Sequence, residues 1–75
     1  MPKRNGILSH LGLNVRSARE TKRFTQEKLA ERAALDPTYI SGIERGIRNP
    51  GIKNVAKIAK ALGLTTAELC KGVDA

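Results

Sequence analysis

The chain contains a single cysteine, Cys70, no tryptophan, one tyrosine and one phenylalanine. One thiol cannot close an internal disulfide, so the fold must be held by packing alone. With aromatics at 3% of residues, the core must be built from Leu, Ile, Val and Ala. That composition suits a compact helical bundle better than a β-sandwich. No apolar run approaches the length of a membrane span or of a signal peptide's apolar region. No membrane partner is expected, and the chain is read as cytoplasmic. Acidic side chains are also scarce, 7 against 14 basic ones, for a formal charge of +7. From Arg45 to Ala67 there is no acid at all, while Arg45, Arg48, Lys53, Lys57 and Lys60 all fall in that stretch.

Seventy-five residues make one domain at most. A domain of this size buries little core and gains from a partner subunit, which favours an oligomer. The basic excess points to a polyanion, and its distribution is zoned. Near the N-terminus, Lys3, Arg4, Arg16, Arg19, Lys22 and Arg23 face one acid, Glu20. The segment from Thr25 to Glu44 is closer to balance. Two basic flanks can grip phosphates while the middle presents a reading surface. Residues 1–7 are expected to form a flexible basic arm, and 8–75 the folded domain.

The helical period dominates the rest. Leu11, Val15 and Ala18 form one apolar stripe, with Arg16 and Glu20 opposite and Ser9 as the expected N-cap. Thr25 is expected to cap a short second helix whose Leu29, Ala30 and Ala33 share a face. Asp36 and Pro37 then open a third, since Asp caps well and the first helical position has no use for an N–H. Gly46 is its natural stop. Two short helices joined by about three residues make a helix-turn-helix. Ile52, Val55, Ala56, Ala59 and Leu62 mark a fourth helix ending at Gly63, with Lys53, Lys57 and Lys60 on another face. Thr65 and Glu68 have capping-box spacing and open a fifth. The expected fold class is all-α, with five short helices and no strand.

Laid out by angle, the third helix places Thr38, Ser41, Gly42 and Arg45 on one face, and Ile40 and Ile43 on the core side. That outward face is small and polar, so a backbone can approach base edges in a major groove. Gly42 costs about 1 kcal/mol against Ala in mid-helix. Approach to DNA and relief of helix packing both account for it. Tyr39, at the edge, reads equally as a phosphate hydrogen-bond donor or as a half-buried packing residue. Gln26 opens the second helix, whose N-terminus can offer N–H groups to a phosphate.

The runs Phe24-Thr25-Gln26-Glu27-Lys28-Leu29-Ala30, Tyr39-Ile40-Ser41-Gly42-Ile43-Glu44-Arg45-Gly46, Arg48-Asn49-Pro50 and Ile58-Ala59-Lys60-Ala61-Leu62-Gly63 occur in that order. Together they resemble the Cro-repressor-type helix-turn-helix (Xre) family over roughly Leu11 to Cys70. Within it, Leu35 to Arg45 is most similar to the controller proteins of restriction–modification systems. The resemblance implies a five-helix, lambda-repressor-like domain, a homodimer and sequence-specific transcriptional control on a pseudo-palindromic operator in double-stranded DNA. It places base or phosphate contacts on Gln26, Thr38, Tyr39, Ser41, Arg48 and Asn49, beside Arg45, Gly42 and Lys53 from the face and charge reading. It also implies an ion pair between Arg19 and Glu44. Three positions depart from the pattern. Pro37 stands where controller-like sequences carry a basic residue, and proline cannot hydrogen-bond a base. Ala34 and Arg23 replace glycines that relatives use at turns, which predicts strained or altered turns there.

Leu64, Leu69, Val73 and Ile58 are the expected dimer contact. Cys70 is read as a small hydrophobe near that end, and a lone His10 as a surface residue. No Ser/His/Asp set, phosphate loop or metal-ligand cluster is present. Neither catalysis, a cofactor nor a small-molecule ligand is expected. The competing reading is an antitoxin or other protein-binding module that binds DNA secondarily. It would need a segment to grip its partner, and only the residues before Leu8 and after Gly72 are spare.

Overall fold

The computed structural model describes residues 6–74. They form five helices, α1 (Gly6–Thr21), α2 (Gln26–Ala33), α3 (Pro37–Glu44), α4 (Ile52–Ala61) and α5 (Thr66–Leu69). No strand occurs among the described residues. The helix starts are where side-chain chemistry puts them. Thr25 Oγ1 accepts from the Lys28 N–H, and the Asp36 carboxylate accepts from the Thr38 N–H with Pro37 in the first turn. At α5 the capping box is complete: Thr65 Oγ1 accepts from the Glu68 N–H, and the Thr65 N–H donates to Glu68 Oε1. That second bond holds the Glu68 carboxyl below the usual carboxylate range. Its contribution is therefore present at neutral pH and fades as pH falls through the lowered value.

The ends share another device. Arg23, Ala34, Gly46 and Gly63 all have positive φ, between 57° and 74°. Each follows one of the first four helices and turns the chain sharply out of it. After α2, for example, the Ala34 N–H reaches Glu31 O and the Leu35 N–H reaches back to Ala30 O at 2.9 Å. Two of the four positions are filled by L-residues, which cost roughly 1–2 kcal/mol each in this region. The turns expected to be strained at Arg23 and Ala34 are so.

Leu11, Val15, Leu29, Ala30, Ala33, Ile40, Ile43, Val55, Ile58, Ala59, Leu62 and Leu69 form one core. α3 packs on α1 and α2, α2 on α4, and α5 on α4 and α1. Asn14 ties the last of these together, donating from Nδ2 to the Leu69 carbonyl at 2.8 Å and the Lys71 carbonyl at 3.0 Å. The carbonyls at the end of α5 are thus satisfied by a side chain of α1.

Several expectations are corrected. Ser9 is not a cap: α1 starts at Gly6, because Ile7 and Leu8 extend it by a turn. Of the arm expected over 1–7, residues 1–5 lie outside the described residues, and Gly6 and Ile7 are helical. The apolar stripe of α4 is rotated from the one expected. Val55, Ile58, Ala59 and Leu62, at i, i+3, i+4 and i+7, face the core, while Ala56 is exposed and Ile52 is 71% exposed. Ile58 and Leu69, expected at a dimer face, are each 1% exposed. They are spent on the monomer core, because α5 folds back on α4 and covers them. Leu64 and Val73 remain half-buried at its edge.

Gly12 is the contact that sequence periodicity does not announce. It is buried on α1, and a Cβ there would overlap the carbonyl oxygens of Ile43 and Glu44. Helices α1 and α3 therefore touch backbone to backbone. Gly12→Ala must push them apart and is expected to cost about 2 kcal/mol or more. Ala34→Gly relieves a left-handed L-residue and is expected to add about 1 kcal/mol. Denaturant unfolding of the two variants measures both signs.

Candidate nucleic-acid interface

The connection from α2 to α3 is Ala34-Leu35-Asp36, with Ala34 ending one helix and Asp36 capping the next. Leu29, Ala30 and Ala33 on α2 and Ile40 and Ile43 on α3 are buried together. The two helices are thus locked as a unit, and the opposite side of α3 faces outward. On it Thr38 and Arg45 are exposed and Ser41 is half-buried. Arg48 and Asn49, in the loop after α3, and Lys53, in the first turn of α4, are exposed as well. Arg48 puts a cation beside Tyr39 at the edge of the small polar face, and Lys57 and Lys60 are exposed further along α4.

The orientation of this unit is set from behind. Arg19 Nε donates to Glu44 Oε2 at 2.6 Å and Arg19 Nη2 to Glu44 Oε1 at 3.1 Å, a bidentate pair. The Glu44 side chain is only 4% exposed and that of Arg19 13%. The hydrogen bonds that Arg19 donates to Glu44 outweigh desolvation and push the Arg19 pKa above its ordinary value. Arg19 Nη1 also donates to the Phe24 carbonyl at 2.8 Å, bracing the turn in which Arg23 is left-handed. The remaining partner of Glu44 is Gln26, whose Nε2 donates to Oε1 at 3.1 Å. One carboxylate thus joins α1, the first residue of α2 and the last residue of α3. For Gln26, one amide hydrogen and the carbonyl oxygen are left for any outside contact.

Gly42 is not part of the outward surface. It is buried, and a Cβ there would overlap Cγ of Arg48. The stem of Arg48 lies across it. Neither of its two readings holds as stated: the missing side chain makes room for the stem of an arginine in the following loop, not for a neighbouring helix or a base edge. Meanwhile the Gly42 carbonyl accepts the N–H groups of Ile47 and Arg48, at 3.0 and 3.2 Å, so backbone bonds as well as the stem set Arg48 here. Its guanidinium lies 5.7 Å from the centroid of the half-buried Tyr39 ring, within cation–π range. Asn54, which sequence reasoning did not single out, donates from Nδ2 to the Tyr39 hydroxyl at 3.1 Å. Fifteen residues separate the two, and no local pattern reports such a contact.

Four other residues find simple places. His10 is exposed, and its ring edge lies against Gly72. Cys70 is half-buried and packs on the core. Glu27 and Glu31 are exposed, the latter 3.4 Å from Lys28.

Removal of Arg19 would leave the Glu44 carboxylate buried with a neutral amide as its neighbour. Arg19→Ala is expected to lower stability by about 3 kcal/mol. The pair Arg19→Met with Glu44→Leu removes both charges and should recover most of that loss, because the desolvation penalty goes with them. Thermal unfolding of the single and paired variants tests this. Equal losses in both would mean that the carboxylate is not the strained partner.

The helix-turn-helix family profile matches residues 15–69. The control protein C.BamHI of Bacillus amyloliquefaciens is 47% identical over 66 residues, which cover 87% of this chain and 82% of that one. The control protein C.MunI of a Mycoplasma species is 37% identical over 71 residues, 93% and 96% of the two chains. Among solved structures, the restriction–modification controller protein C.AhdI from Aeromonas hydrophila superimposes with a TM-score of 0.81 at 40% identity, covering 83% of this chain and 94% of that one. A matched fold, a profile spanning both helices of the motif and an outward polar α3 face with Arg48 at its edge agree. The chain belongs to the Xre-type helix-turn-helix family and is a DNA-binding transcription regulator.

Proposed function

We propose that the chain acts as a homodimer that binds a pseudo-palindromic operator in double-stranded DNA, in the manner of a restriction–modification controller. The observation that carries this is the α3 surface. Thr38 and Ser41 present hydroxyls, and Arg45 a guanidinium, on one outward face. Hydroxyls and an arginine are the groups that read base edges in a major groove. Arg48, Asn49 and Lys53 border that face and contact phosphates, with Tyr39 and the remaining amide hydrogen of Gln26 beside them. Similarity to the control proteins supports the regulatory setting.

A dimer brings two α3 helices into successive major grooves, about 34 Å apart. The residues left for its contact are Leu64 and Val73, which are partly buried in the monomer. Ile58 and Leu69 drop out of that contact because the core uses them. Selection of bound sites from random duplex DNA is the decisive experiment, and a two-fold-related pair of half-sites is expected. Sequence-independent binding would refute the specific regulator.

Two variants refine the test. Lys53→Ala, as a phosphate contact, should weaken all sequences alike and flatten the dependence of log affinity on log salt by about one unit. Val73→Asp should shift sedimentation at micromolar concentration toward the monomer and weaken operator binding, with helicity by circular dichroism unchanged. Val73→Asp that stays dimeric would move the contact elsewhere.

A further inference from the structure

The Tyr39 hydroxyl has one hydrogen to give and two lone pairs to accept with. One lone pair is taken, since Asn54 Nδ2 donates to it at 3.1 Å. A hydroxyl that accepts from a neighbour cannot also point its own hydrogen along that line. Its hydrogen is therefore turned to the other side of the oxygen. The Arg48 guanidinium sits beside the same ring, 5.7 Å from its centroid, with its stem laid over Gly42. An O–H donor with a guanidinium beside its ring suits an anionic oxygen that carries no hydrogen, such as a backbone phosphate.

We propose that Asn54 is a positioning residue of the DNA contact: by donating to the Tyr39 oxygen it aims the Tyr39 hydroxyl hydrogen at a DNA backbone phosphate held with Arg48. The proposal rests on the reading of the α3 surface given above. Asn54 itself touches no DNA in this scheme. It fixes the direction of one hydrogen bond before DNA arrives, so that no hydroxyl rotation has to be frozen on binding.

A double-mutant cycle tests it, read as operator affinity by fluorescence anisotropy at fixed salt. Tyr39→Phe removes the donor and should weaken binding about tenfold or more, the scale of a hydrogen bond to a charged group. Asn54→Ala should weaken binding about threefold in the native background and have no effect in the Tyr39→Phe background. A merely structural role of Asn54 would weaken both backgrounds equally, and that result overturns the proposal. So does native affinity in Asn54→Ala. Tyr39 is the chain's one tyrosine and there is no tryptophan, so tyrosine emission of the DNA-free protein reports this hydroxyl alone. Emission should change on Asn54→Ala, and an unchanged spectrum would mean that the contact is not made in solution. Arg48→Ala separates the two levels of failure. If it weakens binding while Tyr39→Phe does not, the DNA-facing surface stands and the proposal falls. If neither weakens binding, both fall.

Discussion

The carboxylate of Glu44 is the point on which the reading surface depends. Helix α3 has eight residues, too few to hold a direction by its own hydrogen bonds. Its apolar side fixes it against α2, yet a two-helix unit can still rock on the rest of the domain. Packing of α3 on α1 and of α2 on α4 limits this, and a set of three groups converging on one buried anion fixes the direction: two N–H groups of Arg19 and one of Gln26. The geometry is demanding because the anion is dry. A buried carboxylate without partners is far costlier than an exposed one, so any rocking of α3 that stretches these bonds is strongly resisted. Because burying both charges costs desolvation, the pair is expected to add little net stability and much direction.

Close helix contact makes that pairing possible. Gly12 and Arg19 stand seven residues apart on α1, so they lie on the same side two turns from one another. At the first, the absent side chain lets α1 meet the carbonyls of Ile43 and Glu44. At the second, a long side chain spans to the Glu44 carboxylate and to the Phe24 carbonyl. One residue sets the distance between the helices and the other sets the angle. Gly46 continues the same seam, with its backbone against Ser9. The left-handed turns at Arg23 and Ala34 allow the chain to reverse within a few residues and deliver α2 and α3 to this seam.

Most of the fold was legible in the sequence because its signals are local. Thr25, Asp36, Pro37 and Thr65 mark helix starts through bonds that span two or three residues. Gly46 and Gly63 mark ends through φ alone. The misreadings came where a residue's fate depends on a distant element. Ser9 looks like a cap, but the apolar Ile7 and Leu8 before it carry the helix on. Ile52 and Ala56 fit an apolar stripe nearly as well as Ile58 does, and only the seat of α2 and α5 on α4 decides which side is covered. Leu69 could serve a core or a dimer, and the fold-back of α5 assigns it to the core. At the site, the outward residues Thr38, Ser41 and Arg45 followed from helical angle, and the Arg19–Glu44 pair from family resemblance. Gly12, Asn14 and Asn54 did not follow from either, because each acts across 15 or more residues of sequence on a partner that no periodicity indicates.

Gly42 shows how a surface can be misread by angle alone. On a helical wheel it sits among Thr38, Ser41 and Arg45, and an isolated α3 would present all four. The loop after α3 changes this. Gly46 turns the chain back, the Ile47 and Arg48 N–H groups bond to the Gly42 carbonyl, and Arg48 is brought down over the glycine. The consequence is a transfer of function along the chain. A buried position of the helix gives the next segment a seat, and that segment carries a guanidinium. The seat also fixes where the charge lies, beside Tyr39 and on the side of α3 that leads to Lys53 and the rest of α4. In the proposed mode of binding, phosphate contacts on that side would orient the domain on the duplex, and the hydroxyls of Thr38 and Ser41 would then need only short reach to meet base edges. A glycine inside the helix is therefore best understood through Arg48: the helix gives up some propensity so that the stem of an exposed arginine can be seated beside Tyr39.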